Sequence, residues 1–240
     1  MKTKKMFLLM EPSGELVEQF NTFWEKGCNA QEKKLHLFEG GEMVDIFDIL
    51  GNSFFDGLAE DDKRIHALMQ DDSTFHDALR LINSVYHTRL RIDYSKMCSR
   101  QEFLTMCREE IEKYENCEED ESRNSGFDRF MRVCREATGR NAYSFATKAF
   151  CFQDGEHFPI LDRITVTLLA EYLGSSRKRA WGIYKNYKRD YEFFRQKYGL
   201  TSYSFKQIDV FLWTYGIAIE SYWKKVGVFD FESVSYQQPK

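Results

Sequence analysis

Apolar positions recur at helical spacing through most of the chain. Leu16, Val17, Phe20 and Trp24 lie three or four apart and predict a helix over residues 15–24. Residues 34–49 have a different pattern. A short run over 34–38, the pair Gly40-Gly41 and a second run over 43–49 suit a small hairpin, or a loop leading into a helix. The helical signal strengthens from Ser73. Thr74 is placed to cap a helix, with Asp77 at its third position, ahead of the stripe Phe75, Leu79, Ile82, Val85, Tyr86 and Leu90. Ser99-Arg100-Gln101-Glu102 has the form of a capping box and precedes Phe103, Met106, Cys107, Ile111 and Tyr114. Phe127, Phe130, Met131, Cys134 and Ala137 predict a further helix, which Gly139 ends.

The second half adds more punctuation. An acidic stretch over residues 118–126 reads as an exposed loop and as a lobe junction. It suggests a mixed or helical lobe over 1–122 and a helical lobe over 123–240, and the length also allows a single compact unit. An apolar segment over 141–152 and a polar turn over 153–157 lead to Phe158-Pro159-Ile160-Leu161-Asp162. Proline disfavours helix in the residue before it, so the chain should be extended here. Asp162 then suits the N-cap of a helix through Ile164, Leu168, Leu169, Tyr172 and Leu173, closed by Gly174. Two more helices are expected, over about residues 178–198 and 205–223. The fold class is therefore mainly α, with a small irregular or β part near the N-terminus.

The net charge of −4 argues against nucleic acid until its distribution is considered. Residues 101–122 hold nine acidic side chains against two basic, whereas residues 163–206 hold ten basic against three acidic. The basic stretch is also rich in aromatics, among them Tyr172, Trp181, Tyr187, Tyr191, Phe194 and Phe205. It is either a cationic, aromatic nucleic-acid face or a solvated helix surface over an aromatic core. The six cysteines are scattered without CxxC spacing, which suits a reducing compartment. The apolar run at residues 6–10 is too short for a signal segment or a membrane span, so a soluble, cytoplasmic protein is expected, nucleoid-associated if bacterial.

Familiar catalytic signatures are missing. The chain has no dinucleotide or P-loop glycine pattern, no HExxH and no nucleophile elbow. The histidines and cysteines have no metal-ligand spacing, so no metal and no cofactor is expected. What remains is Ser144-Phe145-Ala146-Thr147-Lys148 followed, fourteen residues after the lysine, by Asp162 at the end of Phe158-Pro159-Ile160-Leu161.

Those two pieces, with the stretch from Ile208 to Gly216, resemble the helix–hairpin–helix DNA glycosylases, and more closely the proteins of the 8-oxoguanine DNA glycosylase fold. The resemblance covers about residues 127–223 and implies a helical glycosylase-like lobe. It implies Lys148 and Asp162 as the catalytic lysine and aspartate, with AP lyase activity on DNA that carries a damaged or modified base. It further implies Cys151, Phe152, Phe211 and Trp213 as candidates for the base pocket. Thr147, Arg163, Lys178, Arg179, Lys185 and Lys188 are candidate contacts to double-stranded DNA with the target base flipped out. The fold also occurs among anti-phage defence accessories, so defence-system proteins are implied partners. The family hairpin carries glycines whose amides grip a phosphate, and Tyr143-Ser144-Phe145-Ala146 carries none.

The chemistry suits the pair. Glycosidic cleavage develops positive charge at C1′, which a carboxylate stabilises. A neutral lysine amine attacks C1′ and forms a Schiff base. To be neutral, the amine needs desolvation or cationic neighbours, for which Phe145, Phe150, Phe152 and Arg163 are candidates. A catalytically inactive, nucleic-acid-binding or complex-forming accessory of the same fold is the alternative.

Overall fold

Most helices begin and end where local chemistry dictates. The computed structural model describes residues 7–86, 88, 90–115, 125–174, 184–226 and 236–237. The chain is mainly helical and divides into two compact units, residues 60–161 and residues 1–59 with 162–240. This division differs from the expected break after residue 122, and the packing explains why. Helix α6 (Arg100–Glu115) and helix α7 (Gly126–Thr138), which flank that point, lie against each other in one unit. Their approach is so close that a Cβ on Gly126 would run into the backbone carbonyl of Met106. The expected junction loop, residues 118–126, lies almost wholly outside the described residues.

In the unit of residues 60–161, α4 (Leu58–Met69, whose first two residues precede the unit), α5 (Phe75–Val85), α6, α7 and α8 (Tyr143–Gln153) surround a phenylalanine core. The Phe150 ring lies 5.1 Å from Phe103, 5.3 Å from Phe127 and 4.9 Å from Phe158, each in an edge-on arrangement. The capping box of α6 is present. Glu102 accepts from the Ser99 backbone and hydroxyl, which holds its carboxyl below the usual carboxylate range, and the Glu102 N–H donates back to Ser99 Oγ. Ser125 caps α7, and Gly139 ends it in the left-handed conformation, φ 73°. Thr74 departs from expectation. Its backbone is helical rather than extended, and its hydroxyl donates to the Leu68 carbonyl instead of capping α5.

The other unit begins with α1 (Gly14–Lys26), capped by Ser13. Strands β2 (Lys34–His36) and β3 (Met43–Asp45) follow as an antiparallel hairpin, so residues 34–45 adopt the expected small β element before helix α2 (Ile46–Leu50). Helices α3 (Asn52–Asp56), α9 (Arg163–Leu173), α10 (Tyr184–Lys197) and α11 (Phe205–Lys225) complete the helices described here, and β1 (Phe7–Leu8) pairs in parallel with β4 (Tyr236–Gln237). The first part of the helix expected over 178–198 lies outside the described residues.

Helix α11 is the spine of this unit and packs against α1, α2 and α9. Gly216 lets α9 approach it, since a Cβ there would collide with Cγ2 of Ile164. Tyr215, fully buried, ties in the N-terminal segment: its hydroxyl accepts from Met10 N–H at 3.0 Å and donates to the Leu37 carbonyl at 2.6 Å. Burial holds the phenol well above its ordinary pKa, so it stays a donor. Among the described residues no helix is long and apolar enough to cross a membrane.

Two substitutions test this spine. Tyr215→Phe should lower stability by about 1–3 kcal/mol for each buried partner left unsatisfied, read from the urea midpoint. Gly216→Ala should cost about 1–3 kcal/mol, because the β-branched Ile164 has little freedom to move aside. Unchanged unfolding curves for both would show that neither contact holds α11 in place.

Candidate active site

Helix α8 is buried along its whole length from Phe145 to Phe152. A helix apolar on every side belongs in a core, and a lysine within it is the exception. Lys148 is 4% exposed, not the solvated helical lysine that composition alone would favour. Burying an ammonium without compensation costs several kcal/mol, so its surroundings matter. The amine donates to Ser144 Oγ, one turn earlier, at 2.7 Å. It also lies 5.7 Å from the centre of the Tyr86 ring, within cation–π range. The Tyr86 hydroxyl in turn donates to the Asp62 carboxylate on α4. One turn past the lysine on the same face, Phe152 meets Tyr86 edge-on at 5.6 Å, and the Phe152 carbonyl lies 3.2 Å from His66 Nδ1.

Sequence reasoning missed Tyr86, Asp62 and His66 as neighbours of the lysine. Ser144 had a local signal, the four-residue spacing to Lys148 on a helix. Tyr86 is far from Lys148 in sequence and is brought to it by the packing of α5 on α8, and Asp62 on α4 is reached through the Tyr86 hydroxyl.

Thr147 serves the fold rather than DNA, a correction to its expected role. It is fully buried, its hydroxyl donates to the Ser144 carbonyl at 3.3 Å, and it accepts from Leu161 N–H at 3.1 Å. This last bond joins α8 to the segment between helices that ends at Leu161. The connection between α7 and α8 is Gly139 to Ala142, so Tyr143–Ala146, expected as the hairpin, forms the first turn of α8 instead. The following turn is shaped by Asp154, which accepts from the backbone of Glu156 and His157 and from the His157 ring at 2.7 Å.

No relative emerges from comparison: the chain matches no family model, no curated protein and no solved structure.

The boundary between the units falls between Leu161 and Asp162, so the two predicted catalytic residues belong to different units. Asp162 has the geometry its sequence context predicts. With φ −134° and ψ 156° it caps α9, its Oδ1 accepting from Ile164 N at 2.8 Å and from Thr165 N at 3.3 Å. Arg163 is exposed and pairs through both guanidinium NH2 groups with Glu220, at 2.9 and 3.2 Å. The hydrogen bond and charge of Glu220 raise its already high pKa. Thr165, fully buried, donates to the buried carboxylate of Asp209 on α11 at 3.0 Å.

The remaining candidates divide sharply. Cys151 and Phe152 are buried on α8. Phe211 is fully buried and stacks on Tyr215 at 5.7 Å, with Phe20 at 5.6 Å, so it fills the core of its unit rather than lining a pocket. Trp213 is half-buried and stacks on Phe54 at 5.7 Å. Lys188 is 1% exposed, which removes it as a phosphate contact in this conformation. Lys185 and Arg189 are exposed on α10, whereas Lys178 and Arg179 lie outside the described residues. Tyr172, Tyr187, Tyr191, Phe194 and Phe205 are core, so the aromatic half of the basic stretch is mostly structural. Among the described residues no group of three or more His, Cys, Asp and Glu side chains is placed to hold a metal ion.

Three thiols of the same unit, Cys98, Cys107 and Cys134, are held in their protonated form by burial. Burial pushes Cys98 up to about 12, with help from the charge of Glu102, and raises Cys107 and Cys134 as well. A raised folded pKa means stability that is intact below the ordinary thiol value of 9.0 and is lost as pH rises toward 12. Native protein at pH 8 should therefore resist iodoacetamide at these three positions, and its urea midpoint should fall as pH rises above 9. Rapid alkylation of the folded protein at any of the three would contradict this account of their burial.

Proposed function

We propose that the chain is a lysine-dependent DNA glycosylase with AP lyase activity that excises a damaged or modified base. The observation that carries this reading is the Lys148 amine, buried on α8 and held by Ser144 and Tyr86. Beside it, the Thr147–Leu161 hydrogen bond joins the two sequence segments on which the glycosylase resemblance rests. In this reading Lys148, once deprotonated, attacks C1′ as the base departs with the bonding electrons. Ring opening then yields the Schiff base, and loss of the C2′ proton expels the 3′ phosphate. The Asp162 carboxylate, at the N-terminus of α9, stabilises the positive charge that develops on the sugar.

The partner is double-stranded DNA with the target base flipped from the stack. Lys185 and Arg189, exposed on α10, are the phosphate contacts this reading favours, and Cys151 and Phe152 on α8 stay as base-pocket candidates. Anti-phage defence, with partner proteins of a defence system, is the biological setting that the resemblance suggests.

Trapping tests this directly. With abasic-site DNA and borohydride, the protein should form a covalent adduct at Lys148 that Lys148→Ala abolishes. Asp162→Asn should slow base release on the order of 100-fold. Base release that survives Lys148→Gln but not Asp162→Asn would identify a monofunctional glycosylase. DNA binding without adduct or base release, unaffected by Lys148→Ala, would overturn the catalytic reading in favour of a non-catalytic accessory of the same fold.

A further inference from the structure

Ser144, Lys148 and Phe152 recur every fourth residue and so form one stripe along α8. Asp62 and His66 form a second such stripe on α4. Tyr86, at the C-terminal end of α5, stands between them: its hydroxyl donates to Asp62, its ring edge meets Phe152, and its face lies toward the Lys148 amine at 5.7 Å. The amine therefore has a hydroxyl on one side, at 2.7 Å, and a π face on another. Neither partner is needed for the local backbone. Ser144 lies within the first turn of α8 without capping it, and Tyr86 follows the last turn of α5.

We propose that Tyr86 and Ser144 are positioning residues that clamp the Lys148 amine, with Asp62 orienting the Tyr86 ring. An inventory of catalytic residues drawn from the lysine–aspartate pair alone would not include them. A flexible four-carbon side chain has several rotatable bonds, and a nucleophile has to be held within a few tenths of an ångström of its line of attack. The hydroxyl fixes the amine along the helix, while the ring fixes it across the helix and shields it from water. Both contacts are weak enough to be exchanged for a sugar carbon. A cation–π contact is worth about 1–2 kcal/mol, corresponding to about tenfold in an equilibrium or a rate.

As a statement about catalysis the clamp rests on the glycosylase reading, but its geometry can be tested without DNA. Reductive methylation by formaldehyde and cyanoborohydride, followed by peptide mass spectrometry, reports the access and reactivity of each lysine. Lys148 should be among the slowest-labelled lysines in the native protein. Tyr86→Leu and Ser144→Ala should each speed its labelling about tenfold relative to the other lysines, whereas Ser144→Thr, which keeps the hydroxyl, should stay close to wild type and Tyr86→Phe, which keeps the ring but loses the Asp62 contact, should fall between wild type and Tyr86→Leu. Circular dichroism checks the fold. Ser144 is half-buried, so Ser144→Ala carries the test alone should Tyr86→Leu fail to fold.

On abasic-site DNA at saturation, the same two clamp-breaking variants should slow borohydride trapping about tenfold with unchanged DNA affinity, a loss in the chemical step rather than in binding. Labelling that changes as expected, with no trapping by any form, supports the clamp and sinks the glycosylase reading. Trapping and labelling equal to wild type in both folded variants overturn the clamp and leave the glycosylase reading standing.

Discussion

The complete burial of α8 sets the terms for the unit of residues 60–161. Every residue from Phe145 to Phe152 is buried, so each polar atom on that stretch must be satisfied from within. Thr147 meets the demand by donating to its own helix and accepting from Leu161, which ties the segment ending at Leu161 to α8. Lys148 meets it with a serine from its own helix and a tyrosine face from α5. Tyr86 is itself oriented by Asp62. The phenylalanine cluster around Phe150 fills what remains, and it brings α6 and α7 close enough for Gly126 to touch the Met106 carbonyl. The polar contacts of the candidate site thus follow from the packing of a single helix.

Where the determinants are local, the sequence states them plainly. The Ser99–Glu102 capping box, the left-handed Gly139 and Gly174, and the Asp162 cap after Pro159 all depend on residues within a few positions of one another, and all are present. The hairpin at residues 34–45 was legible from its glycines and flanking apolar runs. What could not be read was set by distant packing. The unit boundary separates Leu161 from Asp162 because the N-terminal helix α1 packs on α11, nearly two hundred residues later. Tyr86 reaches Lys148, and Asp62 reaches Tyr86, through helix packing that leaves no spacing signature.

The basic stretch shows the same limit from another direction. Counting charges between residues 163 and 206 treats every cation as solvated. Lys188 is buried, Arg163 is engaged with Glu220, and Lys197 donates to the Tyr172 carbonyl at 2.8 Å. Among the described residues, these three cations therefore take part in the packing of α9, α10 and α11, whereas Lys185 and Arg189 are exposed on α10.

The two halves of the predicted pair differ in how far their structural and chemical roles can be separated. The Asp162 cap uses a single carboxylate oxygen, which accepts both the Ile164 and Thr165 amides. An amide oxygen serves a cap as well as a carboxylate does, so the capping role does not require the charge. Stabilising a developing cation does require it. In the proposed mechanism the charge of Asp162 thus has a purpose distinct from its cap. Lys148 allows no such separation. Its amine is the polar end of a buried side chain and also the atom that the proposed Schiff-base mechanism uses, so a substitution alters both at once.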